Sequence, residues 1–331
     1  MAAVAAAGCL AGCATSPGGE SAPSAELGRS SHMVVVLVRP GDTSASLAAR
    51  YLHDPALAGR VTPISGALRP GSAAAVALSD SDAALAGPPR YVPILCYHRF
   101  TAGRSTSRME VSAADFERQL QWLHDQGWSV VPLKTVLGFV AGRNGVPARA
   151  VAITLDDGYR SDFEIAAPIL RRFDDPATVF VYTDFVGAGA GLTWPQVEAL
   201  QHGGLIDVQS HSKSHPDLAK RLPGESAAAY DRRLHLEIDT PLQLLARHGG
   251  GDATVFAYPY GSTDAEVESV VRTAGYRAAV TVARGGNPGW APPYLLRRDM
   301  VFGDDSLSRF AERVETAARG GTGAAEAEAA P

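Results

Sequence analysis

The sequence predicts an α/β fold: a distorted or incomplete (β/α) barrel over residues 91–318, with a small βααβ module before it at residues 33–79. Three observations carry that expectation. Short apolar runs recur along the body of the chain, with helical stretches between most of them, as in a parallel sheet. Glycine, proline and serine punctuate the joins. Polar residues gather just past the ends of the apolar runs, where an α/β barrel assembles its chemistry.

Taken in order, residues 33–38 (MVVVLV) read as a buried strand, 39–43 as a turn and 44–52 as a short helix. Residues 54–62 read as a second helical piece and 74–78 as a closing strand. Residues 14–32 and 80–90 are linkers by composition. Barrel strands are expected at 92–97, 150–155, 177–182, 205–210, 254–258 and 278–282, and helices at 112–126, 161–173, 194–201, 226–248 and 264–274. The first of these helices carries Phe116, Leu120 and Leu123 at helical spacing, with Ser112 as N-cap and Gly127 as stop. Residues 319–331 are mostly Gly, Ala and Glu without a period, the composition of a disordered tail.

Composition excludes some functions. The 30 basic residues are outnumbered by 35 acidic ones, for a net charge of −5, so there is no basic footprint for nucleic acid. No apolar run reaches the ~18–20 residues of a membrane span. The cysteines are Cys9, Cys13 and Cys96, which leaves one in the body of the chain and no disulfide framework. Residues 2–12 are almost all Ala, Val, Gly and Leu, like the apolar region of an export signal. They end Leu10-Ala11-Gly12-Cys13, which resembles the lipoprotein signal box, although no Lys or Arg precedes the apolar run. The resemblance implies that residues 1–13 are a signal segment and that Cys13 carries a lipid anchor to a membrane. It further implies export to the cell envelope, facing the periplasm or the cell exterior.

The polar residues have telling positions. His98 follows the first expected barrel strand, Asp156 and Asp157 the second, His211 the fourth, and Pro259 and Tyr260 the fifth. Adjacent carboxylates repel each other unless a cation or proton intervenes. Asp156 and Asp157 point in different directions, so one can bind a metal while the other stays free as a base. Asp-Asp-Gly also serves as a plain β-turn. His211 and His215 stand four apart, and a helical turn would put both rings on one face for a divalent metal. Two surface histidines in a loop would read the same way. Two histidines and one carboxylate, with open positions for water, make a common catalytic Zn²⁺ or Fe²⁺ set.

TLDDG at 154–158, HSKSH at 211–215 and YPYG at 258–261 resemble, in order, the first three motifs of NodB-type polysaccharide deacetylases. The resemblance spans residues 91–303 and implies metal-dependent removal of N-acetyl groups from an N-acetylglucosamine-containing exopolysaccharide or peptidoglycan. It implies Asp156 as catalytic base, Asp157, His211 and His215 as metal ligands, and the Tyr260 backbone N–H as oxyanion donor. The donor set admits Zn²⁺, Co²⁺, Ni²⁺ or Fe²⁺, with Zn²⁺ the default.

Two departures from the family pattern matter. The third-motif arginine that orients the base is absent from Phe256-Ala257-Tyr258, so Arg297 or Arg298 must take its place. No histidine follows His248 to serve as a late acid. FAYPYG and the early Tyr97-His98 resemble the poly-N-acetylglucosamine deacetylase branch, which implies His98 as the acid. Trp194, Pro259 and Arg298 are candidate substrate contacts, and Trp290 is a further aromatic in a Gly/Pro-rich loop. VRPGDTSASLAARYL and the later LRPG resemble the LysM module, which implies binding to peptidoglycan. The competing functions are a catalytically inactive glycan-binding lipoprotein, and an O-acetyl esterase or amidase on the same fold.

Overall fold

Alternating valines build the N-terminal module. The computed structural model describes residues 26–29, 33–64, 67–78, 90–249, 251 and 253–321. Strands β1 (Glu26–Arg29), β2 (Met33–Leu37), β3 (Val61–Pro63) and β4 (Ala73–Ala77) form an antiparallel sheet in the order β1-β2-β4-β3. Val34, Val36, Val38, Ala74 and Val76 bury one sheet face against Leu47 and Ala48 of helix α1 (Ser44–Leu52). Thr43 caps that helix in a capping box with Ser46.

The expected βααβ order is present, with two corrections. The second helical piece is a 3₁₀ turn, Pro55–Arg60, and the chain passes directly into β3. Residues 26–29, expected within the linker 14–32, form β1. They pair along β2, whose open edge would otherwise present unpaired backbone groups. The proposed signal segment 1–13, including Cys13, lies outside the described residues, as do most of both linkers and the tail beyond Gly321.

The barrel begins with β5 (Ile94–Tyr97), after a two-residue strand at Tyr91–Val92. Then come β6 (Ala150–Leu155), β7 (Ala177–Val181), β8 (Ile206–Ser210), β9 (Val255–Ala257), β10 (Ala278–Val280) and β11 (Asp299–Met300). They run parallel in the order β10-β9-β8-β7-β6-β5-β11. Helices α2 (Ala113–Asp125), α3 (Leu133–Val140), α4 (Ala167–Phe173), α5 (Trp194–His202), α6 (Ala227–Arg247), α7 (Ala265–Thr273) and α8 (Leu307–Ala318) accompany them.

Every residue of β6 is buried, because the sheet is covered on both faces. Val151, Ile153 and Leu155 face the helices, with Phe116, Leu120 and Leu170. Ala150 and Ala152 face the barrel interior, with Ile94, Phe180, Ala257 and Val280. Small alanines suit that narrow interior.

The segment 296–300 closes the sheet on itself. Leu296 bridges to Val280 at the β10 edge, and Asp299 and Met300 pair with Leu95 and Cys96 at the β5 edge. The closing stave is short and irregular, so the barrel is distorted, as expected. Neither β11 nor α3 nor α8 was among the expected elements. Among the described residues, no helix is long and apolar enough to cross a membrane.

Helix α8 is held by a buried ion pair. Arg313 donates to both oxygens of Asp305 at 3.0 and 3.1 Å, and Asp305 also accepts from the Phe302 N–H at 2.9 Å. Removing one partner of a buried pair strands the other charge, at a cost of about 3–5 kcal/mol. Asp305→Ala is therefore expected to lower stability by about that amount. The double variant Asp305→Ala/Arg313→Met should recover most of the loss. Urea unfolding followed by circular dichroism measures both.

Candidate active site

The site begins with strand alternation. Thr154 and Asp156 point the same way, so Asp156 continues the inward row at the C-terminal end of β6. Asp157 is turned out of that row by a left-handed backbone, φ 75°. The adjacent carboxylates are thereby separated. Ser212 (φ 75°), His215 (φ 61°) and Tyr260 (φ 59°) share this conformation. Only six non-glycine residues have it among those described, and four belong to these segments. Such concentration of backbone strain marks functional sites.

Asp157, His211 and His215 come together. Each offers one ligand atom, and the three atoms lie within 4.8 Å of one another. His215 Nε2 is 3.2 Å from His211 Nε2 and 3.4 Å from Asp157 Oδ1, and His211 Nε2 is 3.7 Å from Asp157 Oδ1. Those spacings fit one ion with ligand bonds of about 2.0–2.2 Å. The second shell fits too: His211 donates its Nδ1–H to the Ala257 carbonyl at 2.8 Å, which fixes the tautomer and leaves Nε2 free to ligate.

The two histidines do not meet by a helical turn, as expected from their spacing. The HSKSH segment is a loop folded around Glu237 of α6. The Lys213 N–H donates to the Glu237 carbonyl at 3.0 Å. Ser214 donates to the Glu237 carboxylate through its N–H at 2.8 Å and its hydroxyl at 2.6 Å. The Ser212 hydroxyl accepts the His215 N–H.

Asp156, whose Oδ2 also lies 3.7 Å from His211 Nε2, is held chiefly from the other side. Arg298 donates to its two oxygens at 2.6 and 2.7 Å, and both residues are almost fully buried. The guanidinium also donates to the Thr281 carbonyl and the Thr154 hydroxyl, so its fork is locked in place. The Cys96 thiol donates to Asp156 Oδ2 at 3.4 Å. Burial alone would raise the Asp156 pKa, but Arg298, followed by His211, overcomes it and holds the carboxyl well below the usual range.

The neighbouring groups respond oppositely. Burial, reinforced by the Asp156 charge, pushes Asp157 up to about 7. Burial pushes His211 down to about 3 and His98 down to about 4, against the pull of Asp156 on each. Both imidazoles are neutral at neutral pH. His98 is half-buried at the end of β5, and its ring nitrogen lies within 4.8 Å of the Asp156 carboxylate and the Cys96 sulfur.

Tyr260 lies in the 3₁₀ turn Pro259–Gly261, where its N–H is an orphan donor and meets no acceptor among the described residues. The residue is 51% exposed, with its ring centroid 4.7 Å from that of His215.

Three expected substrate contacts are corrected. Arg298 is wholly buried, so it cannot touch a polysaccharide; it instead grips both oxygens of the Asp156 carboxylate. Arg297 turns to the Arg284 carbonyl. Pro259 is buried and shapes the turn beneath Tyr260. Trp194 stacks on His248 at 4.2 Å and packs against the helical core, which uses its face for packing. Trp290 meets Tyr91 edge-on, in a cleft against the N-terminal module.

Glu237 and Cys96 escaped the sequence reading. A carboxylate at Glu237, in the buried stripe Tyr230, Leu234, Ile238, was the available signal. Cys96 gave none, because a cysteine in an apolar strand is an ordinary core residue.

The fold and these paired networks define a class of hydrolase built on a distorted α/β barrel. Residues 143–279 match the polysaccharide deacetylase family, and the chain carries a polysaccharide deacetylase domain of the NodB type. It is 28% identical over 229 residues to the Bacillus subtilis protein YxkH, whose name places it among polysaccharide deacetylases, covering 69% of this chain and 77% of that one. It is 22% identical over 219 residues to the poly-β-1,6-N-acetyl-D-glucosamine N-deacetylase of Staphylococcus aureus, covering 65% of this chain and 75% of that one. The structure of IcaB from Ammonifex degensii superposes with a TM-score of 0.60 at 28% identity, over 68% of this chain and 97% of that one.

A metal ion must displace the proton that Asp157 holds up to about pH 7 in the metal-free protein, whereas His211 is already deprotonated there. Affinity for a divalent ion should therefore be level above pH 7 and fall about tenfold per pH unit below it. Competition against a chelating dye across that range checks the slope, and His211→Ala should abolish binding.

Proposed function

We propose that the protein removes N-acetyl groups from an N-acetylglucosamine-containing polysaccharide, using a divalent metal at Asp157, His211 and His215. One observation carries the reading: adjacent carboxylates are divided, Asp157 joining two histidines while Asp156 is clamped by Arg298. An ion in that site would supply a water of lowered pKa and positive charge beside the acetamide oxygen. Zn²⁺ suits two imidazoles and one carboxylate.

The chain's own groups do the rest. Asp156, kept ionised and oriented by Arg298, takes the proton of the attacking water. The Tyr260 N–H donates to the acetamide oxygen as negative charge grows there. His98, neutral at rest and close to Asp156, relays a proton to the leaving amine, and acetate departs. The low pKa of His98 makes its protonated form a strong donor.

The substrate class is supported by the Staphylococcus aureus relative, whose name specifies poly-β-1,6-N-acetyl-D-glucosamine. In this reading the protein is exported and held at the cell envelope by a lipid on Cys13. The N-terminal module then binds peptidoglycan.

Acetate release should be measured on poly-N-acetylglucosamine, peptidoglycan and acetylated xylan, with and without chelator. The expected result is chelator-sensitive release, greatest on poly-N-acetylglucosamine. Asp156→Asn should retain metal yet lose at least about a hundredfold in turnover. Full activity in His98→Ala would remove the acid assignment. Release confined to acetylated xylan would replace the N-deacetylase reading with an O-acetyl esterase.

A further inference from the structure

We propose that Cys96, His98 and Asp156 form a second metal site, distinct from Asp157, His211 and His215, and that a thiophilic divalent ion held there in metal excess shuts the enzyme off. The site needs no reading of the reaction. Its inhibitory effect rests on the roles of base and acid given above to Asp156 and His98.

The site follows from strand alternation. Ile94, Cys96 and His98 occupy alternate positions along β5 and its end, and Thr154 and Asp156 do the same on the adjacent β6. Three different donors thus meet at one end of two paired strands. A sulfur, an imidazole nitrogen and a carboxylate oxygen lie within 4.8 Å of one another. The two donor sets have no residue in common.

The contact between Cys96 and Asp156 sets the geometry. Sγ lies 3.4 Å from Asp156 Oδ2, with the thiol hydrogen between them. An ion with bonds of about 2.3 Å to sulfur and about 2.0 Å to oxygen would span that separation at close to the tetrahedral angle. The ion takes the place of the thiol hydrogen, which leaves as a proton. Thiolate and carboxylate together offset both charges of a divalent ion. His98 supplies the third donor from the solvent side, since it is half-buried while Cys96 and Asp156 are sealed.

The surroundings select the ion and the order of filling. Burial holds the free thiol protonated, so only an ion with high affinity for sulfur displaces that proton. That favours Zn²⁺ or Co²⁺ over Mg²⁺ or Ca²⁺. Arg298 donates to both oxygens of Asp156, and Asp156 Oδ2 is 3.7 Å from His211 Nε2. The guanidinium and an ion at Asp157, His211 and His215 both repel a second ion, so this site is the weaker and fills second. Once filled, it engages the Asp156 oxygen that would accept the proton of water and the His98 nitrogen that would serve the leaving amine.

The test is titration of the metal-free full-length protein with Co²⁺, followed by absorption and by acetate release. Cys9 and Cys13 are replaced by serine in every sample, so that Cys96 is the sole thiol. A sulfur-to-cobalt charge-transfer band is expected only past the first equivalent, because the first site contains no sulfur. Cys96→Ser should abolish the band and still bind one equivalent. His98→Ala keeps the thiol and should weaken the second ion at least about tenfold, which tests the site even if Cys96→Ser does not fold. Acetate release should peak at one equivalent and fall as the band grows. No band past the first equivalent, or one that His98→Ala leaves at full affinity, would overturn the site. Undiminished acetate release as the band grows would overturn the inhibition. A band that grows in a protein releasing no acetate at one equivalent would count against the deacetylase reading alone and leave the site standing.

Discussion

The ion pair between Arg298 and Asp156 is the interaction on which the site and the closure of the barrel both depend. Neither charge reaches solvent, so neither would be tolerable without the other. Arg298 stands in the segment that joins the β10 edge to the β5 edge, and its fork reaches across the interior to β6. The contact that closes the barrel is therefore also the contact that decides which carboxylate stays ionised. A lysine would keep the charge but not the two parallel donors.

Once Asp156 is committed to Arg298, the geometry of its neighbour follows. Two adjacent residues on a strand cannot both face inward, and Asp157 reaches the rim only through a left-handed backbone. That conformation costs about 1–2 kcal/mol for a residue with a Cβ. His215 and Tyr260 carry the same strain. The surroundings hold it in place: Glu237 grips the histidine loop, Ala257 grips the His211 ring, and buried Pro259 sets the turn under Tyr260. The rim is strained because the barrel beneath it is closely packed and does not yield.

These features divide what the sequence could reveal from what it could not. Strands β6 and β7 were legible because burial on both faces leaves a nearly unbroken apolar run. The metal candidates were legible because each motif is local, a pair or a spacing of four. Arg298 was only half legible. The missing motif arginine pointed to it, but nothing in the sequence shows that a residue so near the chemistry is sealed from substrate. β11 has two residues and no apolar run, so no periodicity announces it. The conformation of the HSKSH loop depends on a carboxylate 22 residues further along, at Glu237. Trp194 shows the same limit: only tertiary contacts reveal that its face is used in packing.

The placement of the N-terminal module follows from the same topology. Val35 and Ala73 of the module line a cleft with Tyr91, Trp290 and Leu295 of the barrel. Tyr91 stands six residues before Tyr97 on the way into β5, so this contact lies roughly 20 Å from the strand ends that bear His98 and Asp156. The module sits at the end of the barrel opposite the strand ends that bear the site. Its sheet is covered by α1 on one face and approached by the barrel on the other, which gives Val35 a buried position although it points away from α1. This contact therefore lies away from the rim that bears His98 and Asp156.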